Sequence, residues 1–187
     1  MISIPIELSA RHIHITKDDW VKLFGTAEMT LDHPISLPKQ FVAKERVVLK
    51  GPKGEYANVG VVGPFRQYTQ VELSLTEARH LGIAPPLSDS GLLDNAATIT
   101  IEGPVGEITK PAAIIQQRHL HLSPDDAKTL GLSDRQVISV RVGGPRGALL
   151  NNVYARVDRD FTTRLHLDTD EGNACGVVPG MTADVVK

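Results

Sequence analysis

One cysteine, Cys175, is all that this chain of 187 residues contains. A disulfide framework within the chain is therefore excluded, and so is a cysteine-based zinc ribbon. Cys175 itself reads as a small buried hydrophobe. Long apolar runs are missing too, and nothing approaches the ~20 residues of a membrane span. The opening Met1-Ile2-Ser3-Ile4-Pro5 lacks the basic stretch and apolar run of a secretory signal, so a cytoplasmic location is expected. There is no basic excess: lysine and arginine number 20 against 22 aspartates and glutamates. That balance argues against a nucleic-acid-binding surface, and neither nucleic acid nor a membrane is expected as a partner. An anionic ligand would have to be held by a few local cations. The Gly-x-x-x-x-Gly-Lys-Ser/Thr spacing of a phosphate loop is also absent. Gly51-Pro52-Lys53-Gly54 and Gly144-Pro145-Arg146-Gly147 read as hairpin turns instead.

What is present points to a mainly β protein. Short runs of alternating apolar residues, rich in Val and Ile and bounded by Gly and Pro, recur at 45–49, 97–101, 137–142 and 153–157, the pattern of a barrel or sandwich. Helices are few and short. Thr16, Ser74 and Ser123 each stand three residues ahead of an acid, as helix caps do, and Gly25, Gly82 and Gly131 close the turns that follow. The sequence also repeats itself. Arg11-His12-Ile13-His14 returns as Arg118-His119-Leu120-His121, the Gly-Pro-Lys/Arg-Gly turn occurs twice, and the run from Val71 to Glu77 aligns with that from Leu165 to Glu171. The order is the same each time. Two related halves are expected, 1–95 and 96–187, joined by the Pro- and Ser-rich stretch 84–95.

The chemistry lies in the histidines. Alternate residues of a strand share a face, so His12 and His14 project side by side, as do His119 and His121. Neutral imidazole is the commonest metal ligand, and zinc accepts it readily. The alignment places Glu72 in the first half where His166 stands in the second, and both residue types bind zinc. Each half then supplies three ligands: His12, His14 and Glu72, and His119, His121 and His166. Three protein ligands with an open fourth position is the pattern of a catalytic rather than a structural site. Arg66 stands six residues before Glu72. If the strand is unbroken, Arg66, Tyr68, Gln70 and Glu72 share one face, and the guanidinium is placed to grip two phosphate oxygens. Arg11 and Arg118 should point the other way, as structural residues. Asp168, Asp170 and Glu171 are either acceptors that orient the histidines or members of a capped turn. His33 and His80 have no partner in the repeat and are read as surface residues.

These residues resemble a known family. The two Arg-His-x-His motifs, the run Gly63-Pro64-Phe65-Arg66-Gln67-Tyr68-Thr69-Gln70-Val71-Glu72, and His166-Leu167-Asp168-Thr169-Asp170-Glu171-Gly172-Asn173-Ala174 are similar to those of the PduL-type phosphotransacylases, or phosphate propanoyltransferases. The resemblance spans essentially the whole chain. It implies two β-barrels capped by short helices, with a two-zinc site between them. It also implies zinc ligands at the six positions above, a phosphate-binding arginine at Arg66, and an N-terminal strand (about 1–10) packed with the C-terminal barrel. The implied reaction is reversible acyl transfer between coenzyme A and inorganic phosphate, so acyl-CoA and phosphate are the expected small-molecule partners; a homodimer is left open. Because the first His pair begins at residue 12, no room is left for the N-terminal encapsulation helix of microcompartment members. Encapsulation is not expected, and acetyl-CoA is as suitable a substrate as propanoyl-CoA. The alternatives are a zinc-dependent hydrolase or other metal enzyme on the same site, a cupin-like barrel, and a zinc-stabilised module without activity. In cupins the glutamate follows the His pair within a few residues, whereas Glu72 lies far from it.

Overall fold

A computed structural model describes residues 3–186. The first part of the chain runs β1 (Ile4–Ser9), β2 (His12–His14), α1 (Lys17–Phe24), β3 (Leu31–Pro34), β4 (Phe41–Lys50), β5 (Glu55–Gly63), β6 (Gln70–Leu73), α2 (Leu75–Leu81), β7 (Leu87–Ser88) and β8 (Ala97–Glu102). It continues with β9 (Glu107–Gln116), β10 (His119–Leu122), α3 (Pro124–Leu130), β11 (Val137–Val142), β12 (Ala148–Val157), β13 (Arg164–Asp168), α4 (Thr169–Cys175) and β14 (Thr182–Val186). The described residues are mainly β, with two closed six-stranded barrels and four short helices. Among the described residues no helix is long and apolar enough to cross a membrane.

Two compact units result. One is Ala10–Gln116 and holds the first barrel; the other joins the residues up to Ser9 to those from Gln117 onward and holds the second. The first barrel closes in the order β4-β5-β2-β6-β9-β8, with β3 beside β4 and β7 beside β9. The second closes as β11-β12-β10-β13-β1-β14. Strand for strand the two have one topology. The His-x-His strand lies parallel to the long hairpin's second arm and antiparallel to the strand of Glu72 or His166.

The closing strand is where sequence and architecture part. β9 leads directly into β10, yet it completes the first barrel by pairing β6 and β8. β1 leads into β2, yet it pairs β13 and β14 in the second. Each barrel is thus closed by the strand that precedes the other's His-x-His pair. The boundary expected at residue 95 is not where the compact units divide: 97–116 belongs with the first barrel, because β8 and β9 form a hairpin whose two outer edges are paired by β4 and β6.

Local chemistry explains the elements. Both Gly-Pro turns close hairpins, with Gly51 N–H on Gly54 O and Gly147 N–H on Gly144 O, each at 2.9 Å. Both hairpins shift register, between Val47/Leu49 and between Ile138/Val140. Asn58 and Asn152 lie opposite these shifts with left-handed φ of 61° and 56°, a conformation asparagine tolerates. Helix α4 was not expected beyond a capped turn. Asp168 caps it and Glu171 completes the capping box. The barrel interiors hold alternate strand residues: Ile13, Val71, Leu73 and Ala113 in the first, Ile4, Leu120, Leu122 and Leu167 in the second. Full burial of each of these Ile, Val and Leu side chains contributes roughly 1.5–3 kcal/mol.

Candidate metal centres

The alternation that sends Ile13 and Leu120 into the barrels turns the histidines to the other face of the same strands. In the first barrel β2 pairs β6 with His12 opposite Glu72 and His14 opposite Gln70. His12 Nδ1 donates to Ala10 O at 2.9 Å and His14 Nδ1 to Val62 O at 3.3 Å. A carbonyl can only accept, so each proton sits on Nδ1 and each Nε2 is left as a lone-pair donor. Those atoms face Glu72: His12 Nε2 lies 3.5 Å from Oε2 and His14 Nε2 3.6 Å from Oε1. Ligands around a tetrahedral ion with metal–nitrogen bonds near 2.0–2.1 Å are separated by roughly 3.3 Å, so the spacing suits one shared cation. Glu72 Oε2 is buried and accepts no hydrogen bond, an arrangement a bound cation would relieve.

In the second barrel His119 stands opposite His166 across β10 and β13. His119 Nδ1 donates to Gln117 O at 2.9 Å, as His12 does to Ala10 O. The three rings lie 4.4–4.9 Å apart between centroids, and Phe161 stacks on His121 at 3.9 Å. His119, His121 and His166 are all buried. In each barrel the donor atoms of the three residues fall within 4.8 Å of one another, so each set could hold a metal ion. The six residues singled out in the sequence are thereby gathered three and three.

Electrostatics favours the ligating forms. Burial holds His14 below the ordinary imidazole value against the raising influence of Glu72. His119 is pushed well below it by burial and by the charge of Arg156. Burial opposes ionisation of Glu72, but His12 and His14 in their protonated forms, together with the amide of Gln70, outweigh it and bring its carboxyl down to about 2. Neutral imidazole and ionised carboxylate are the forms that bind metal.

Arg66 departs from expectation. β6 begins only at Gln70, so the unbroken strand from Arg66 to Glu72 does not exist. Pro64 has no N–H to extend a ladder, and Thr69 is tied to α1 instead. Its hydroxyl donates to Asp19 Oδ2 at 2.7 Å and accepts from Thr16 N–H at 3.2 Å. Arg66 N–H reaches Ile15 O at 2.9 Å, and Nη2 donates to Gln40 Oε1 at 3.1 Å. Its charge still bears on His14. Arg11 and Arg118 are salt-bridged to the capping glutamates, Arg11 to Glu77 at 2.9 Å and Arg118 to Glu171 at 2.7 Å. Asp168 and Glu171 form the capping box of α4. His33 and His80 are exposed, and Cys175 is in the second core.

Some contributors were not anticipated. Thr69–Asp19 has a twin in Thr163–Asp126 at 2.5 Å, legible only by extending the repeat alignment through the loops. Gln70 was noticed only as sharing a face with Glu72.

Known proteins resemble the chain over most of its length. The family model for phosphate propanoyltransferase matches residues 5–178. This chain belongs to the phosphate propanoyltransferase family. It is accordingly an acyltransferase. A phosphate propanoyltransferase of Rhodobacter capsulatus is 42% identical over 176 residues, covering 93% of this chain and 82% of the relative. That of Clostridioides difficile is 39% identical over 186 residues, 98% of this chain and 89% of the relative. That of Salmonella typhimurium is 42% identical over 175 residues, 92% and 83% respectively. The matched span contains both candidate metal centres and Arg66.

Proposed function

We propose that the chain transfers a short acyl group, acetyl or propanoyl, reversibly between coenzyme A and inorganic phosphate, assisted by one zinc ion at each triad. The observation that carries the zinc reading is the paired geometry: three buried or half-buried donors at equivalent places in two barrels of one topology. The donor sets suit zinc, which takes imidazole and carboxylate and keeps a position open in catalytic sites. When bound, zinc supplies Lewis-acid polarisation of a thioester carbonyl and stabilisation of a thiolate.

The protein's own part is to bind and orient. His12 and His14 are held with Nε2 outward by backbone carbonyls, so the ligand set needs little rearrangement to form. Arg66 holds phosphate through its planar fork, with Gln40 orienting the guanidinium. A phosphate oxygen then forms the new bond to the carbonyl carbon, the carbon–sulfur bond breaks, and the electron pair leaves on the CoA sulfur. Holding phosphate in place turns a bimolecular encounter into a positioned one, worth up to ~7–11 kcal/mol in favourable cases. No protein nucleophile is required.

The test is zinc content together with thiol release from acetyl- and propanoyl-CoA, with and without phosphate. About two zinc ions per chain are expected, with release only when phosphate is present and acyl phosphate as the product. Thiol release at the same rate without phosphate would identify a hydrolase instead.

A further inference from the structure

We infer that Gln70 is a positioning residue that decides which oxygen of Glu72 is offered to the metal; this rests on the reading of His12, His14 and Glu72 as a metal site. Gln70 is fully buried and shares the outward face of β6 with Glu72. Its amide has one orientation. Gly91 N–H lies 2.7 Å from Oε1, and a backbone N–H can only donate, so that atom is the oxygen. The NH2 group is thereby turned the other way. It donates to Glu72 Oε1 at 2.6 Å and to Ser90 Oγ at 2.8 Å, which occupies both of its hydrogens. Ser90 Oγ, now an acceptor for Gln70, has its own proton free to reach the same Glu72 oxygen at 3.5 Å.

One oxygen of the carboxylate is thus claimed by protein donors. The other, Oε2, is buried without a hydrogen bond and faces His12 Nε2 at 3.5 Å. Gln70 therefore makes Glu72 a one-oxygen ligand, and the chain around Ser90 and Gly91 is coupled to the metal through that amide. The second barrel supports the argument by lacking the device. There His166 replaces Glu72, and Arg164 stands opposite His121 where Gln70 stands opposite His14. An imidazole offers a metal one nitrogen at a time and needs no neighbour to choose between two equivalent atoms.

The experiment is zinc affinity by chelator competition on the full chain, read as two binding steps, for wild type, Gln70→Met, Ser90→Ala and Glu72→Ala. Gln70→Met, which keeps the length and removes the donor, should weaken one step by about 10–100-fold and leave the other unchanged. Ser90→Ala, which removes the 3.5 Å contact to Glu72 and the acceptor for the second amide hydrogen of Gln70 but keeps the Gln70–Glu72 bond, should change it by no more than a few fold. Cobalt in place of zinc should give an altered visible spectrum for the weakened site alone. Should Gln70→Met fold poorly, Gln70→Glu has the native shape but puts an acceptor where the donor was, and the same step should weaken. If Glu72→Ala removes one zinc while Gln70→Met and Gln70→Glu both bind two zincs with wild-type affinity, the inference about Gln70 is wrong and the metal reading stands. If Glu72→Ala leaves zinc content unchanged, the metal reading itself fails.

Discussion

The two barrels share a topology and differ in what they place around their triads. The first offers two imidazoles and a carboxylate, so its donor set carries one negative charge once Glu72 is ionised. The second offers three imidazoles and carries none. Around the first stand Gln70 and, in the preceding loop, Arg66. Around the second, Arg164 and Arg156 flank His121 as its register partners, and the loop from 158 to 163 has Asp160 where the first barrel has Arg66. The strand architecture has therefore been duplicated while the chemistry has diverged. With a divalent ion bound, as proposed above, a neutral donor set would leave more of its charge available to polarise a substrate than an anionic one, and the two triads would then suit different tasks. Identical scaffolds fix where donors stand, and two or three side chains decide what a site does.

The largest effect should come from removing a ligand. His12→Ala and His119→Ala are each expected to reduce zinc from about two ions per chain to about one, and to lower activity by more than the 10–100-fold typical of losing a neighbour of a ligand. Elemental analysis beside phosphate-dependent thiol release checks both. If either variant keeps full activity with one zinc, the two centres are not both needed, and the comparison collapses to one working barrel. Next comes the strand exchange. Ile4 is fully buried in the second core although it precedes the first His pair. Ile4→Ala should cost about 2–5 kcal/mol. Hydrogen exchange should then rise in β13 and β14, which β1 pairs, and not in β2, which follows it in the chain. Faster exchange centred on β2 would contradict the pairing.

Much of this was legible in the sequence because period-2 patterning and a duplication are local signals. The His-x-His pairs, the Glu72–His166 correspondence, the Gly-Pro hairpins and three of the helix caps could all be read from spacing. The closing strands could not be placed from the residues themselves. β1 and β9 carry equally apolar patterns, and nothing in Ile4–Ser9 or Glu107–Gln116 states which barrel each completes; the family resemblance alone suggested it for β1. The condition of an unbroken strand from Arg66 to Glu72 looks acceptable in sequence because Tyr68, Gln70 and Glu72 alternate, whereas the hydrogen bonds of Thr69 to α1, long-range in sequence, decide otherwise. Gln70 escapes for a related reason: its partners Ser90 and Gly91 lie in the Pro- and Ser-rich stretch that reads only as a junction.

A smaller effect is expected at Arg66, which stands where the second barrel's loop has Asp160. Arg66→Ala should raise the phosphate requirement about 10- to 100-fold, corresponding to roughly 1.5–3 kcal/mol for a charged hydrogen-bonding partner, with zinc content unchanged. Arg66→Lys should not rescue fully, because lysine lacks the planar fork. Arg11→Ala and Arg118→Ala, which break ion pairs to helix caps, should lower stability and leave the phosphate dependence alone. Phosphate-saturation curves for the four variants separate these outcomes. An Arg66→Ala enzyme with wild-type phosphate dependence would move the phosphate site elsewhere.

The smallest difference concerns acid. Asp19 anchors the loop of Arg66 through Thr69 and is itself held by Lys110 at 2.8 Å and Lys22 at 3.3 Å. Burial opposes its ionisation, but Lys110, Thr69 and Lys22 prevail and bring the carboxyl from 3.8 down to about 2. Because the folded value is depressed, the unfolded chain takes up a proton first as pH falls. The stabilisation is therefore fully present above about pH 4 and is lost progressively as pH drops towards 2. Both lysines are partly exposed, and solvent screening limits the contribution to about 1–2 kcal/mol. Asp126 and Thr163 repeat the aspartate–threonine contact in the second barrel, but among the described residues no lysine pairs with Asp126. Urea unfolding of the metal-free protein at pH 5 and pH 2.5 should show Asp19→Asn less stable than wild type at the higher pH, with the gap closing at the lower. A gap of the same size at both pH values would mean that the partners of ionised Asp19 contribute nothing to the stability of the folded chain.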